Sequence, residues 1–196
     1  MANHSVTSKR QPARIRQLRP SDLPRYRDHL LRLDPATRHD RFNGYVNDAF
    51  LIAYAERCFK EGATVIGLIH DGRVLGAAEL HEIANASVAT GEAAFSVEPE
   101  VQGQGIGSQL FQRVLAHAYS LGYEQLVITT HSNNEAMKKL ARKFNARLRF
   151  EDGETVGRID LSDTDSTGFI DALIAGAKAS IMSLRTNGIE FRAHAA

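Results

Sequence analysis

Apolar positions recur at helical spacing in the first third of the chain and again between residues 106 and 144, whereas the stretch between them alternates or runs unbroken, as strands do. Ile15 and Leu18, set among arginines, suit a first strand over residues 13–19. Pro20-Ser21-Asp22 then announces a helix carrying Leu23, Leu30 and Leu31, which Asp34-Pro35 ends. A short helical stretch runs through Arg41-Phe42, and a longer one from Asn47 to Lys60 carries Phe50, Leu51, Tyr54 and Phe59 before Glu61-Gly62 stops it. Residues 63–70 and 73–82 read as strands joined by Asp71-Gly72, a two-residue signal for a type I′ hairpin. In a third strand ending at Val97, Ala93, Phe95 and Val97 face one way and Glu92, Ala94 and Ser96 the other.

A helix follows from Ile106, with Leu110, Val114 and Ala118 on one stripe, Phe111 and Leu115 widening it, and Gly122 placed to cap its end. Residues 125–130 form a short buried strand, Asn133 and Asn134 start a helix to Phe144, and residues 146–151 and 154–161 form a last hairpin around Asp152-Gly153. The class is α+β: a mixed, mostly antiparallel sheet flanked by helices, with one strand–helix–strand unit inside it. The organisation is a flexible N-terminal tail at 1–12, one domain at 13–161 and a helical extension at 162–196, where Phe169, Ile170, Leu173, Ile174, Ala177, Ile181 and Leu184 keep helical spacing.

Composition narrows the function by exclusion. The chain has 196 residues, 43% apolar and 24% charged, which suits a folded domain. Lys and Arg number 24 against 23 Asp and Glu, so no global field draws the chain to nucleic acid or to an anionic membrane. Cys58 is the only cysteine, which excludes an internal disulfide and fits a cytoplasmic setting. No apolar stretch approaches the ~20 residues of a membrane span, and the basic N-terminus lacks the apolar core of a secretory signal. His81-Glu82 opens like a metalloprotease motif, but Asn85 stands where the second histidine belongs, so no metal is expected.

The sharpest chemical feature is Gln102-Gly103-Gln104-Gly105-Ile106-Gly107-Ser108, between a strand and a strongly amphipathic helix. Small residues let successive backbone N–H groups approach an anion, and the helix start adds partial positive charge, so a phosphate or pyrophosphate is the expected guest. No lysine follows Gly107, which argues against a P-loop, and the spacing G-x-G-x-G and the antiparallel hairpin upstream argue against a dinucleotide fold. Lys138, Lys139, Arg142, Lys143, Arg147 and Arg149 form a basic run with no acid between Glu135 and Glu151.

Gln102-x-x-Gly105-x-Gly107, opened by Val97-Glu-Pro-Glu and followed by Ser108-x-Leu110 and a helix ending at Gly122, resembles motif A of the GNAT acetyltransferases. Asn134-Glu-Ala-Met137 and residues 140–146 resemble that family's next helix, with Asn145-Ala146 replacing its usual Gly-Phe. Leu33-Asp-Pro-x-x-Arg38-x-x-Arg41-Phe42 together with Glu92 is similar to the acetyltransferase domains of bacterial protein-lysine acetyltransferases. The resemblance implies acetyl-CoA as cosubstrate, with the backbone of Phe95, Ser96 and Val97 on the pantetheine arm, the amides from Gln102 to Ser108 on the pyrophosphate, and Asn134 as a polar contact. It implies an amine acceptor, either a small molecule or a protein lysine. The apolar stripe of the C-terminal extension should dock on the domain or on a second copy, so a monomer or homodimer is expected.

An ammonium with a pKa near 10.4 must lose a proton before it attacks a thioester, and a carboxylate is the usual helper. Glu92 matches the family position for that base, with Glu79 as runner-up. Many relatives carry a tyrosine on the helix after the asparagine to protonate the leaving thiolate; Ala141 stands at that position, so no general acid is named. Two other readings stay open: a small-amine or antibiotic acetyltransferase, and a non-catalytic CoA-binding sensor or interaction module.

Overall fold

A computed structural model describes residues 12–162 of the protein. The tail assigned to 1–12 and the extension assigned to 162–196 fall almost wholly outside them. Among the described residues the strands are β1 (Arg14–Gln17), β2 (Thr64–His70), β3 (Arg73–Glu82), β4 (Thr90–Val97), β5 (Gln125–His131), β6 (Arg147–Glu151) and β7 (Glu154–Asp160), and the α-helices are α1 (Leu23–Arg32), α2 (Pro35–Phe42), α3 (Asp48–Lys60), α4 (Ile106–Ser120) and α5 (Glu135–Lys143). The strands form one sheet in the order β1-β2-β3-β4-β5-β7-β6, antiparallel except between β4 and β5.

Local chemistry explains most of these boundaries. Asp71 and Gly72 both take positive φ (47° and 78°), as do Asp152 and Gly153 (49° and 89°), the backbone a type I′ turn requires. Helix α4 ends as the sequence predicts: Gly122 turns left-handed at φ 80°, and the N–H groups of Gly122 and Tyr123 close back on the carbonyls of Tyr119 and Ala118. Helix α5 starts one residue later than expected because Asn134 caps it, its side-chain oxygen accepting from the Met137 N–H at 2.9 Å.

The sheet has a core on each face. Helices α1 and α3 cover one, over Tyr26, Leu30, Leu51, Ala55, Cys58 and Ala77; α4 and α5 cover the other, over Leu75, Leu80, Ala93, Leu110, Leu115 and Leu126. Phe95 of β4, Phe111 of α4 and Phe144 beyond α5 stack almost parallel, with centroids 4.9 and 4.3 Å apart, and so fix strand and helices to one another. Gly76 of β3 lets α4 approach closely: a Cβ there would lie 3.3 Å from Ile106 and Leu110.

The feature that positions the site is a short seam. Strands β4 and β5 pair only at Thr90–Gln125, Gly91–Leu126 and Glu92–Val127. Beyond Glu92, β4 stays with β3 as far as Val97, and β5 stays with β7 as far as His131, so a wedge opens inside the sheet. Helix α2 straddles it. Asp34 caps α2 by accepting from Thr37 N and Oγ1 (2.8 and 2.9 Å); Arg41 reaches Glu79 on β3 at 2.5 Å, and Asn43, at the helix end, donates to Glu154 of β7 at 2.7 Å.

Candidate active site

A cleft of about 500 Å³ occupies the wedge. Its walls are Ala94–Val97 of β4 and Ile128–Thr130 of β5; residues 101–103, residues 105–107 and α5 line one part, and α2 with its cap Asp34 lines another. Since α4 packs on the Phe95 face of the sheet and α2 meets Glu79 on the opposite face, the cleft passes through the sheet and opens on both sides.

Most of the residues expected from the sequence converge here. Phe95, Ser96, Val97, Gln102, Gly103, Gly105, Ile106, Gly107 and Asn134 all line the cleft. Gly103 and Gly105 take positive φ (75° and 78°), and Gly105 is the N-cap of α4, so the loop wraps the positive end of a 15-residue helix. The Gln102 amide donates to Val97 O at 2.9 Å and ties the loop to the strand end. Gln104 and Ser108 lie outside the lining; Ser108 Oγ instead accepts from Lys143 at 3.1 Å, which brings one cation of the basic run to the helix start. Lys138 is committed elsewhere, to Ser132 O and Glu135.

Glu92 also stands outside the lining. It is half-buried opposite His81, on the α2 face, in the last residue pair before the strands part. Ala94, which does line the cleft, lies two residues further on the same face, ~7 Å away along the strand.

Glu79, the sequence's second candidate base, is fully buried and saturated. It accepts from Tyr26 Oη at 2.6 Å, from Arg41 at 2.5 Å and from Tyr54 Oη, with His81 Nε2 at 3.3 Å. Burial alone would raise its pKa, but the Arg41 charge and the hydrogen bonds outweigh burial and hold it down at about 2. A carboxylate so stabilised is a poor proton acceptor, so Glu79 is a structural anion. Cys58 sits beside it, its thiol pushed up to about 12 mainly by burial, and is unreactive.

A second buried network holds the strand edge. His29 of α1, fully buried, lies 3.0 Å from Glu98 Oε1 through Nδ1 and 2.9 Å from Ser96 Oγ through Nε2; Glu98 also accepts from Arg32 and Arg73. The ionised Glu98 can only accept, so the neutral ring carries its proton on Nδ1 and accepts from Ser96. Burial holds His29 below its ordinary value of 6.5 despite Glu98. As pH falls, the unfolded chain takes up that proton before the folded one, so stability present above 6.5 is lost below it; His117, also lowered by burial, acts in the same sense. The urea midpoint should therefore drop from about pH 7.5 to about 5.5, and drop less in His29→Gln. Equal slopes in both proteins would rule His29 out as the source.

The sequence did not announce that α2 forms a wall of the cleft. Asp34 and Arg41 lay in the stretch that resembles protein-lysine acetyltransferase domains but were not read as site residues, Thr37 and Asp40 carried no signal, and Thr129 and Thr130 read only as strand. Two of these lining residues hold buried polar atoms, Arg41 Nε and Thr130 Oγ1, that lack a hydrogen-bond partner among the described residues. No helix among the described residues is long and apolar enough to cross a membrane.

Comparison with known proteins agrees with this geometry. The chain is 28% identical over 130 residues to the acetyltransferase PA5475 of Pseudomonas aeruginosa, covering 64% of this chain and 70% of that protein. Among solved structures it is similar to the GNAT domain of S. lividans PAT, with a TM-score of 0.65 at 19% identity over 76% of this chain and 90% of that one. It is also similar to a GNAT superfamily phosphinothricin acetyltransferase from Sinorhizobium meliloti in complex with AcCoA, with a TM-score of 0.57 at 18% identity over 76% and 89%. With residues 24–146 matching the model of the Acetyltransferase (GNAT) family, a sheet parted at β4 and β5, and a glycine loop on α4, the chain belongs to that family of acetyl-CoA-dependent N-acetyltransferases.

Proposed function

We propose that acetyl-CoA enters the wedge from the α4 side and an amine from the α2 side, and that the acetyl group passes between them in the gap between β4 and β5. The observation that carries this reading is the cleft through the sheet, lined by the glycine loop at one part and by α2 at another. On the donor side, the backbone of Phe95, Ser96 and Val97, which β5 leaves unpaired, runs beside the pantetheine arm. The amides from Gln102 to Ser108 hold the pyrophosphate at the helix end, with Lys143 nearby for a further phosphate and Asn134 for a polar contact.

On the acceptor side, Glu92 removes the ammonium proton through one bridging water, and the neutral amine attacks the thioester carbonyl. A backbone N–H near Val97 polarises the carbonyl oxygen as negative charge develops on it. The C–N bond forms, the attacking nitrogen releases its second proton to water, the C–S bond breaks, and CoA leaves as thiolate. Ala141, buried in the core, offers no hydroxyl for that thiolate, so its proton comes from water.

Arg41 Nε, buried on the α2 side without a hydrogen-bond partner among the described residues, suits the acceptor end to a polar backbone such as that of a protein lysine segment. Thiol release from acetyl-CoA, followed with a panel of small amines, amino acids and a lysine peptide, tests the proposal. Turnover with the peptide supports it, turnover with a small amine alone moves the acceptor to the alternative class, and acetyl-CoA binding without turnover on any amine overturns it in favour of a CoA sensor.

A further inference from the structure

At the rim of the cleft on the α2 side, His39 and Asp40 of α2 meet His131 at the end of β5, with one ligand atom from each within 4.8 Å of the others. We propose that these three residues form a binding site for a divalent transition metal of the zinc type, and that the bound metal pins α2 to β5 across the wedge.

Several observations on these residues agree. The imidazole rings of His39 and His131 meet edge to face, with centroids 4.8 Å apart, although they come from distant parts of the chain. No hydrogen bond from a described residue reaches the Asp40 side chain; His39 Nδ1 lies 4.0 Å from its Oδ1. His131 Nδ1 receives only the Asn133 N–H, at a long 3.3 Å. All three residues are half-buried, hence open to an ion from solvent yet partly shielded by the cleft wall. Two imidazoles and one carboxylate form a donor set that zinc takes with bonds of about 2.0–2.2 Å, leaving a fourth position for water. Drawing in the side chains by about an ångström closes the set.

The second cluster of this kind, Cys58, Glu79 and His81, behaves differently, because Glu79 is already saturated by Arg41 and two tyrosines. At the rim, by contrast, no arginine or lysine among the described residues forms an ion pair with Asp40. Asp40 also lines the cleft, so metal there narrows the side from which the acceptor enters. That consequence rests on the proposed direction of amine entry; the binding itself does not.

The test is a calorimetric titration of the chelator-treated full chain with Zn²⁺ alone, without acetyl-CoA or amine, repeated with Co²⁺ to read the visible bands of low-coordinate cobalt. One equivalent should bind. His39→Ala and His131→Ala should each weaken binding more than the ~100-fold that loss of an outer partner can cost, while His70→Ala and His117→Ala leave it unchanged. Asp40→Asn, a nearly isosteric change, guards against a variant that fails to fold, and should also weaken binding. No zinc binding by the parent, or equal binding by parent and the His39→Ala/His131→Ala pair, overturns the proposal. Zinc binding with acetyl transfer unaffected would keep the site and overturn only the claim that it narrows acceptor entry.

Discussion

Replacing Glu92 with glutamine should lower kcat about 10²- to 10⁴-fold, the usual contribution of a positioned base, while acetyl-CoA affinity stays as it was. Glutamine keeps the size and the strand position of the side chain but accepts no proton at neutral pH. The residual rate should then climb with pH, because only the fraction of amine already neutral in solution can attack, and a lysine amine near 10.4 gains about tenfold in that fraction per pH unit. Steady-state kinetics from neutral to alkaline pH would read both effects. A kcat within about threefold of the parent would remove Glu92 from the reaction and leave positioning in the cleft as the source of the rate.

The largest effect on stability should come from the ion pair between Arg41 and Glu79. Glu79→Ala leaves a guanidinium buried without its anion, which costs about 3–5 kcal/mol. Arg41→Met should cost less, since burial then drives the Glu79 carboxyl toward its neutral form, still hydrogen-bonded by Tyr26 and Tyr54. The double replacement Glu79→Ala/Arg41→Met should lose less than the sum of the two singles, a coupling that urea denaturation of all four proteins measures. Strict additivity would show that the pair does not act as a unit. The parent has a matching acid signature. Because Glu79 is held at about 2, its contribution is complete above the ordinary 4.5 and is lost as pH falls through the window down to about 2.

Helix and strand periods, two Asp-Gly turns and the Gly122 cap were readable because each depends on neighbouring residues: 71–72 and 152–153 need only their own backbone freedom. The glycine loop was readable for the same reason, and nine of its own and adjoining candidates line the cleft. What the sequence could not show is pairing at a distance. Nothing near β7 says that it inserts between β5 and β6. Glu79 looked like a free strand carboxylate because Tyr26, Arg41 and Tyr54, which saturate it, come from three different helices. His29 sits in a polar helix with no cue to its burial, and its partners Ser96 and Glu98 lie beyond two hairpin strands. The α2 wall was half legible for a related reason: residues 33–42 carried a family likeness, but a short helix of polar residues reads as surface until the strands beneath it are seen to part.

The three-pair seam between β4 and β5 has a mechanical consequence. The sheet is two lobes, β1–β4 and β5–β7, each laced internally by long antiparallel ladders and joined edge to edge by a few parallel hydrogen bonds. The seam acts as the hinge of a pair of jaws, and the Arg41 and Asn43 contacts of α2 are the straps across their open end. A cofactor seated between the jaws would clamp both lobes at once. Its signature in hydrogen exchange would therefore be slowed opening of amides in β5 and β7, well away from the atoms it touches.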